Sequence, residues 1–500
     1  MTQYLYGASI QGIQSFIFQT NKLKEIIGAS EIIENISTNY FTEFLKEQNI
    51  STGYEKITMA AGNIKFIFDN ESDIKKVVKN FPKAVMEKAY GITISQAVVK
   101  FEGSLEKTHI DKLEIKLKTA RNKVELPLDL SLNIIKNAPR TGKSGVAKDN
   151  DNKVIDKATL QKNKKSNGVL LTNKLVENTL DDKFVSDFKY LSNKKNKIAV
   201  IHVDGNGLGR ILQQMGKKIE ENGNSEQLKT AFAKFSTQLD ASTIKAAKDA
   251  INKVFDAENK LNIKFRPIVL GGDDLTVVCD ANKAIEFTEE YLKLFEENTK
   301  ENLKGLVETY NLDEFKNGLK AAAGIAYCNE KYPFHYAVDL AEALCGEAKK
   351  RSDRKNSCLM FHNIQSSFFT SFSDYKDNEL TIGNIEFDFG PYYVEKGLGV
   401  EKPSIDAFKE LYKEFKKENS PISSLRNWLS ELYSNKEHAQ STLNRINQMA
   451  EEGKYDHESL NEILAKLFDK KMTLKNLLVE KDGKQKTIIY DILQIKSIND

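Results

Sequence analysis

Two short segments concentrate residues able to do chemistry. In IVLGGDDLTVVCD, residues 268–280, Asp273 and Asp274 directly follow Gly271 and Gly272, between apolar runs that read as strands. In KIAVIHVDGNGLGRIL, residues 197–212, Asp204 ends an apolar strand, and Gly205, Asn206 and Gly207 lead into a helix. The glycines permit tight turns and close approach of a ligand. Asp204 placed beside the pair would converge three negative charges, a costly arrangement once desolvated unless a cation shares the site. Oxygen donors suit Mg2+ or Mn2+, and two such ions about 4 Å apart serve in-line phosphoryl displacement. One would lower the pKa of an attacking hydroxyl, the other would hold a triphosphate and its leaving pyrophosphate. The turn after Asp204 adds backbone amides and a positive helix N-terminus for phosphate.

Competing readings of these residues are weaker. An EF-hand loop starting at Asp204 would place Leu208 and Met215 at its fifth and twelfth positions, where oxygen ligands are needed. A dinucleotide turn would set Asp204 against a pyrophosphate that it repels. GGDD by itself could be a simple turn, and its pairing with a strand-ending DGNG is what favours metal. TGKS at residues 141–144 has Asn137 where a phosphate loop needs glycine and lacks the strand before it, so it reads as a solvated loop. His202 reads as a packed strand histidine. His457, in YDHESL, follows its aspartate rather than preceding it and makes no metal-dependent phosphohydrolase motif.

The elements that must position these residues follow from periodicity. From Ile198 the order is strand, two helices (208–215 and 226–255), a strand pair around the glycines, helix, strand, helix, strand. This is the βααββαβαβ order of an antiparallel palm-type sheet covered by helices on one face. The N-terminal third reads as a worn copy. YLYGASIQGIQSFIF overlays the DGNG segment with Ser9 on Asp204, Gly12 on Gly207 and Ile13 on Leu208. AAGNIKFIFDN overlays the GGDD segment with Gly62 on Gly272, Asn63 on Asp273 and Ile64 on Asp274. The first copy, without acids, is expected to be a scaffold and the second the working site. Domains are expected at 1–119 (degenerate first palm), 120–196 (Lys-rich connector), 197–364 (second palm), 365–402 (a small hairpin region around TIGNIEFDFGPYYV) and 403–500 (a helical bundle). In the last, Ser404 reads as an N-cap, Ile405, Phe408, Leu411 and Phe415 as an apolar stripe, and Trp428 with Leu432 as the start of a further helix. The fold class is α+β: two palm domains, ferredoxin-like and nucleotidyl cyclase-like, with a helical connector and a C-terminal helical bundle.

Composition sets the frame. A chain of 500 residues is expected to hold several domains. With 40% hydrophobic and 29% charged residues, no membrane-spanning run and no N-terminal secretion signal, a cytoplasmic location without membrane contact is expected. Four scattered cysteines, Cys279, Cys328, Cys345 and Cys358, form no CxxC pair, so buried thiols are expected and no zinc. A net charge of +3 announces no nucleic-acid affinity. The connector runs KDNDNK, KNKK and NKKNK read as solvated loops, with a phosphate-gripping role as the alternative.

Together SIQGIQSFIFQTNKLKEIIGASEII, AVIHVDGNGLG, VLGGDD and AGIAYCNEKYPFHYAVDLAEALCGEAKKRSDRKN resemble the large polymerase-like subunit of type III CRISPR interference complexes, which carries two palms and a GGDD site. The resemblance covers roughly residues 1 to 364. It implies synthesis of a cyclic oligoadenylate-type second messenger from ATP in antiviral defence, with nucleotides held between facing palms. It further implies Asp204, Asp273 and Asp274 as catalytic metal ligands, with Lys349 toward the triphosphate; by itself Lys349 reads as a solvated helix-end lysine. Two departures are expected: no HD nuclease domain before the first palm, and no cysteine zinc knuckle in the connector, where APRTGKSGVAK reads as its remnant. Membership of a complex with partner subunits, guide and target RNA is preferred over a stand-alone enzyme. A non-catalytic nucleotide-binding scaffold is the alternative of a different class. A diguanylate cyclase would carry glutamate in place of Asp274.

Overall fold

A computed structural model of the chain describes residues 2–60, 62–123, 132, 134–176, 183–221, 226–365, 371–399, 401–455, 457–468 and 472–499. Parts of the expected connector and of segments 365–402 and 403–500 thus lie outside the described residues, as do Ala61 and Asp456.

The chain opens with β1 (Thr2–Gln11), α1 (Ile13–Ile17), α2 (Leu23–Asn35), α3 (Phe41–Glu47), β2 (Tyr54–Ala60), β3 (Asn63–Phe68), α4 (Glu71–Lys88), β4 (Thr93–Glu102) and α5 (Lys107–Arg121). Its strands form an antiparallel sheet of order β2-β3-β1-β4. Aromatic side chains alternating along β3 meet the helices: Phe41 lies 4.7 Å from Phe66 and 4.8 Å from Phe81, centroid to centroid. Such pairs add about 0.5–1.5 kcal/mol each beyond buried area.

The connector holds β5 (Ala147–Lys148), β6 (Val154–Ile155), α6 (Lys157–Lys164), α7 (Leu170–Leu175) and α8 (Phe188–Leu191). Its KDNDNK run is largely exposed, as expected. Other lysines are not solvated. Lys162 is only 1% exposed; its Nζ donates to the Phe16 carbonyl at 2.5 Å, and burial pulls its pKa down to about 8. Arg140 grips the buried Glu25 carboxylate through both terminal nitrogens, at 2.8 and 2.7 Å. The reason is packing: α6 and α7 lie on α2, so the connector is a brace between the two sheets.

The second sheet is built from β7 (Lys197–Gly205), α9 (Leu208–Glu221), α10 (Glu226–Phe255), β8 (Phe265–Gly271), β9 (Asp274–Asp280), α11 (Ala284–Thr309), β10 (Ala321–Asn329), α12 (Phe334–Arg351) and β11 (Cys358–Asn363). Its strand order β8-β9-β7-β10 repeats that of the first sheet, which is direct support for duplication. The sheet is mixed rather than antiparallel: the α12 crossover returns β11 parallel to β10. All four cysteines are buried free thiols.

Sheet register corrects one expected overlay. Ser9 and Ala60 both face Asn63, while Gly271 faces Asp274 and Val203 faces Leu275, so the next rung brings Asp204 to Asp274. Ser9 therefore stands where Asp204 does, and Gly12 and Gly207 share a left-handed backbone, φ 72° and 79°. In the hairpin, however, Asn63 takes the place of Asp274 and Gly62 that of Asp273. Ile64, fully buried, matches Leu275. Side chains alternate along a strand, so the expected overlay would have turned Ile64 out of the core.

Beyond the second sheet come α13 (Phe372–Glu379), β12 (Thr381–Ile382), β13 (Ile385–Glu386), β14 (Tyr392–Tyr393), α14 (Ile405–Lys416), α15 (Ile422–Ser434), α16 (Lys436–Glu451), α17 (His457–Leu467), β15 (Val479–Lys481), β16 (Lys484–Lys486) and α18 (Ile489–Ile498). The expected hairpin is present as β12–β13, but β13 also pairs with β16, so one small sheet spans both C-terminal segments. Strand β14 joins the edge of the second sheet beside β11. Arg351, ending α12, ties the units together: it pairs with Asp388 at 2.6 Å and donates to the Gly390 carbonyl at 2.9 Å. Among the described residues no helix is long and apolar enough to cross a membrane.

Ser404 caps α14 by accepting from the Ala407 N–H at 3.1 Å, and the stripe Ile405, Phe408, Leu411 and Phe415 is buried. The helix holding Trp428 starts at Ile422, earlier than expected. Ser404→Ala should lower stability by about 1 kcal/mol. The check is the urea midpoint of the fluorescence of Trp428, the sole tryptophan, which is buried in the neighbouring α15; an unchanged midpoint would refute the cap's contribution.

Candidate active site

Strand β7 delivers Asp204 at its C-terminal end, and the β8–β9 turn delivers Asp273 and Asp274 alongside. One carboxylate oxygen from each of the three lies within 4.8 Å of the others. Gly272 adopts φ 64° in this turn, a conformation costly for other residues. A Cβ on Gly205 would stand 3.0 Å from that of Asp273, so the close approach of the two turns also needs glycine there.

The turn is clamped from below by two residues not anticipated from sequence. Asp240 Oδ1 accepts from the Gly272 N–H at 2.9 Å, and Thr243 Oγ1 donates to the Gly272 carbonyl at 2.6 Å. Both sit on α10, one turn apart, in a stretch rich in polar residues where nothing in the sequence sets them apart from solvent-facing neighbours. From the connector, Lys174 Nζ donates to the Leu270 carbonyl at 2.9 Å and pairs with Glu34 of α2 at 2.8 Å.

Burial dominates the electrostatics. It pushes Asp273 well above the usual carboxylate range, helped by the charges of Asp274 and Asp204. It raises Asp274 to about 6, with Asp204 adding and Lys349 opposing. Burial lowers His202 to about 4, so this histidine is neutral at physiological pH; its Nδ1 lies 3.0 Å from Thr276 Oγ1, as fits a packed strand residue.

Lys349 departs from the solvated helix-end reading. It is 9% exposed, pairs with Asp204 Oδ2 and donates to the Gly205 carbonyl at 2.9 Å. The expected phosphate turn is also modified. The Asn206 N–H is spent on the Lys320 carbonyl at 2.7 Å, because the β7–β10 pairing runs on past Gly205. The Asn206 side chain, 4% exposed, has neither its oxygen nor its nitrogen hydrogen-bonded. An orphaned buried amide of this kind costs about 1–3 kcal/mol unless a partner arrives. Beside it, Gly207 leads into α9; its carbonyl accepts from the Arg210 and Ile211 N–H groups at 3.0 and 3.1 Å, which leaves the Leu208 and Gly209 N–H groups at the helix start without an intrahelical acceptor.

A cavity of about 460 Å³ opens between the two sheets, with Ile13 and Gly62 on one wall and His202, Asp274 and Thr276 on the other. Across it, Gln14 Nε2 of α1 donates to Glu342 Oε1 of α12 at 2.5 Å. Burial, then Asp339 and Asp274, push Glu342 up to about 7. Neither residue of this pair was singled out from sequence, where each reads as an exposed helix residue.

Two sheets of one strand order, the second with clustered acids at its hairpin, define a double-palm protein. Residues 197–359 match the second palm domain of Cas10/Cmr2. Over these residues the chain is Cas10-like. Among solved structures, a chain of a Csm1–Csm4 cassette in complex with cA4 superposes with TM-score 0.51 at 13% identity, covering 99% of this chain and 69% of that one. The cassette in complex with pppApApA gives TM-score 0.50 at 13% identity, over 93% and 69%. Against the pppApA complex the score is 0.45 at 14% identity; this chain spans 54% of that chain's length, with 72% of its own residues covered. No curated protein matches the sequence.

The raised Asp274 pKa has a consequence for stability. The folded state keeps the proton up to about pH 6 and the unfolded chain releases it near 3.8, so the stabilisation is fully present below 3.8 and lost as pH rises through 6. In chelator-treated protein, Asp274→Asn should therefore gain about 3 kcal/mol over wild type at pH 7.5 and about half of that at pH 5, the gain vanishing only below 3.8. Melting curves at the two pH values measure this; a gain that does not change with pH would refute the buried-charge account.

Proposed function

We propose that the second palm is a metal-dependent nucleotidyltransferase that joins ATP through attack of a 3′-hydroxyl on an α-phosphate, releasing pyrophosphate and making a cyclic oligoadenylate or short linear adenylate. The convergence of Asp204, Asp273 and Asp274 within 4.8 Å carries this reading. The donor set fits Mg2+ or Mn2+: three hard oxygens, two of them buried enough to resist ionising without a cation. Bound by these aspartates, two divalent ions supply charge neutralisation for the triphosphate and activation of the attacking hydroxyl.

The chain's own groups do the rest. Asp240 and Thr243 keep the GGDD turn from relaxing away from Asp204. The Asn206 amide and the N-terminus of α9 offer donors to phosphate oxygens, Gly205, Gly207, Gly271 and Gly272 keep the backbone thin enough for that approach, and Lys349 offers an ammonium. The first palm lacks acids at Ser9 and Asn63 and closes the cavity, so its contribution is a binding wall. The Csm1–Csm4 cassettes were solved with adenylates and with a partner subunit, and we extend both features to this chain: it acts in a type III CRISPR complex with guide and target RNA.

Asp273→Ala together with Asp274→Ala should reduce pyrophosphate release and adenylate product by at least about 100-fold, while leaving the circular-dichroism spectrum unchanged. Mass spectrometry of products from each NTP with Mg2+ or Mn2+ is the assay. Undiminished product in the double variant would overturn the enzyme and leave the non-catalytic scaffold. Ser9→Ala and Asn63→Ala should hold turnover within about threefold, under ~0.7 kcal/mol of barrier. A loss matching that of Asp204→Ala would show that the first palm takes part in the chemistry.

A further inference from the structure

Lys349 is placed on the metal-ligand cluster itself. Its ammonium has three donors. One faces Asp204 Oδ2 and one the Gly205 carbonyl, at 2.9 Å. The Asp204 side chain is 36% exposed, whereas the lysine side chain is 11% exposed. The amine therefore covers Asp204 from the protein side and neutralises the carboxylate that a divalent ion must share with Asp273 and Asp274. An ammonium and a divalent ion on one carboxylate repel each other, and the half-buried setting screens that repulsion less than water does.

Two features let the amine yield. It sits on a flexible four-carbon stem, and its second anchor, the Gly205 carbonyl, lies at the start of the turn where Asn206 holds its unpaired side-chain amide. A triphosphate drawn to that amide and to the α9 N-terminus would meet the ammonium at its remaining donor.

Building on the active-site reading above, we infer that Lys349 is a resident cation that restrains Asp204 until a triphosphate draws the amine toward itself, so that nucleotide and divalent ion promote each other's binding. By linkage the effect is reciprocal: what the ion gains from the nucleotide, the nucleotide gains from the ion. The chain thereby resists loading with metal alone, and its site completes only when both ligands are present.

The test is Mn2+ binding to the full chain without nucleotide, measured by calorimetry and by loss of the free-ion paramagnetic resonance signal. Lys349→Met should bind Mn2+ about tenfold more tightly than wild type. Lys349→Gln, which keeps a donor for Gly205, should behave the same way if the methionine variant folds poorly. Lys349→Arg should show no gain. In an Asp204→Asn background, Lys349→Met should change nothing, because the restraint acts through that carboxylate. Mn2+ binding by wild type that neither neutral variant tightens, or a gain that survives Asp204→Asn, overturns this inference alone. Equal Mn2+ binding by wild type and the Asp273→Ala, Asp274→Ala double variant, or none by any variant, overturns the active-site reading as well.

Discussion

Carboxylates gathered within 4.8 Å in a half-buried turn repel one another, and the surrounding structure is arranged to prevent their separation. Left to itself, a glycine-rich hairpin would relax outward, where water would solvate each charge. Three restraints oppose this. Gly272 is held on both sides, its N–H donating to Asp240 and its carbonyl accepting from Thr243. Central strand β7, paired on both edges, fixes Asp204 in register with its neighbours. Lys349 supplies the compensating charge.

These restraints reach well beyond the second sheet. Helix α12 carries Glu342 against the first palm, Lys349 against Asp204 and Arg351 against Asp388 and Gly390. One rigid element thus touches all three parts of the molecule within three turns. Its N-terminal end is pinned to the first unit too, with the Phe334 N–H donating to Asn21 at 2.9 Å. The connector works in parallel, with Lys174 linking Glu34 of the first palm to Leu270 beside the GGDD turn. The buried position of Lys162 has the same logic: a lysine that satisfies the end of α1 fixes the edge of the cavity, at the cost of a pKa pulled down to about 8.

Duplication explains the shape of the site. Both sheets share the order in which the first strand lies between the hairpin and the fourth strand, and both turn at a left-handed glycine three residues past the site position. In the first copy the three places hold Ser9, Gly62 and Asn63, which bring no charge and so need no clamp or resident cation. Freed of that demand, the first palm packs an aromatic core and presents Ile13 of α1 and Gly62 of the β2–β3 turn to the cavity.

By itself the sequence determined the palm order, the duplication, the three aspartates, the glycines that bring them close, and the Ser404 cap with its apolar stripe. Each is a local pattern: alternation along a strand, spacing along a helix, or a residue type demanded by a turn. What only the tertiary structure decided is long-range and polar. Asp240, Thr243, Gln14 and Glu342 stand on helices where a polar side chain reads as solvent-facing, and their partners lie 32, 29 and 328 residues away. Lys349, Lys162 and Lys174 are indistinguishable in sequence from surface lysines, because a charge is buried only where the fold supplies its counter-charge or carbonyl. The one-residue offset of Asn63 likewise came from the sheet, since an overlay of short motifs does not say which side of a strand faces the core, and the burial of Ile64 does.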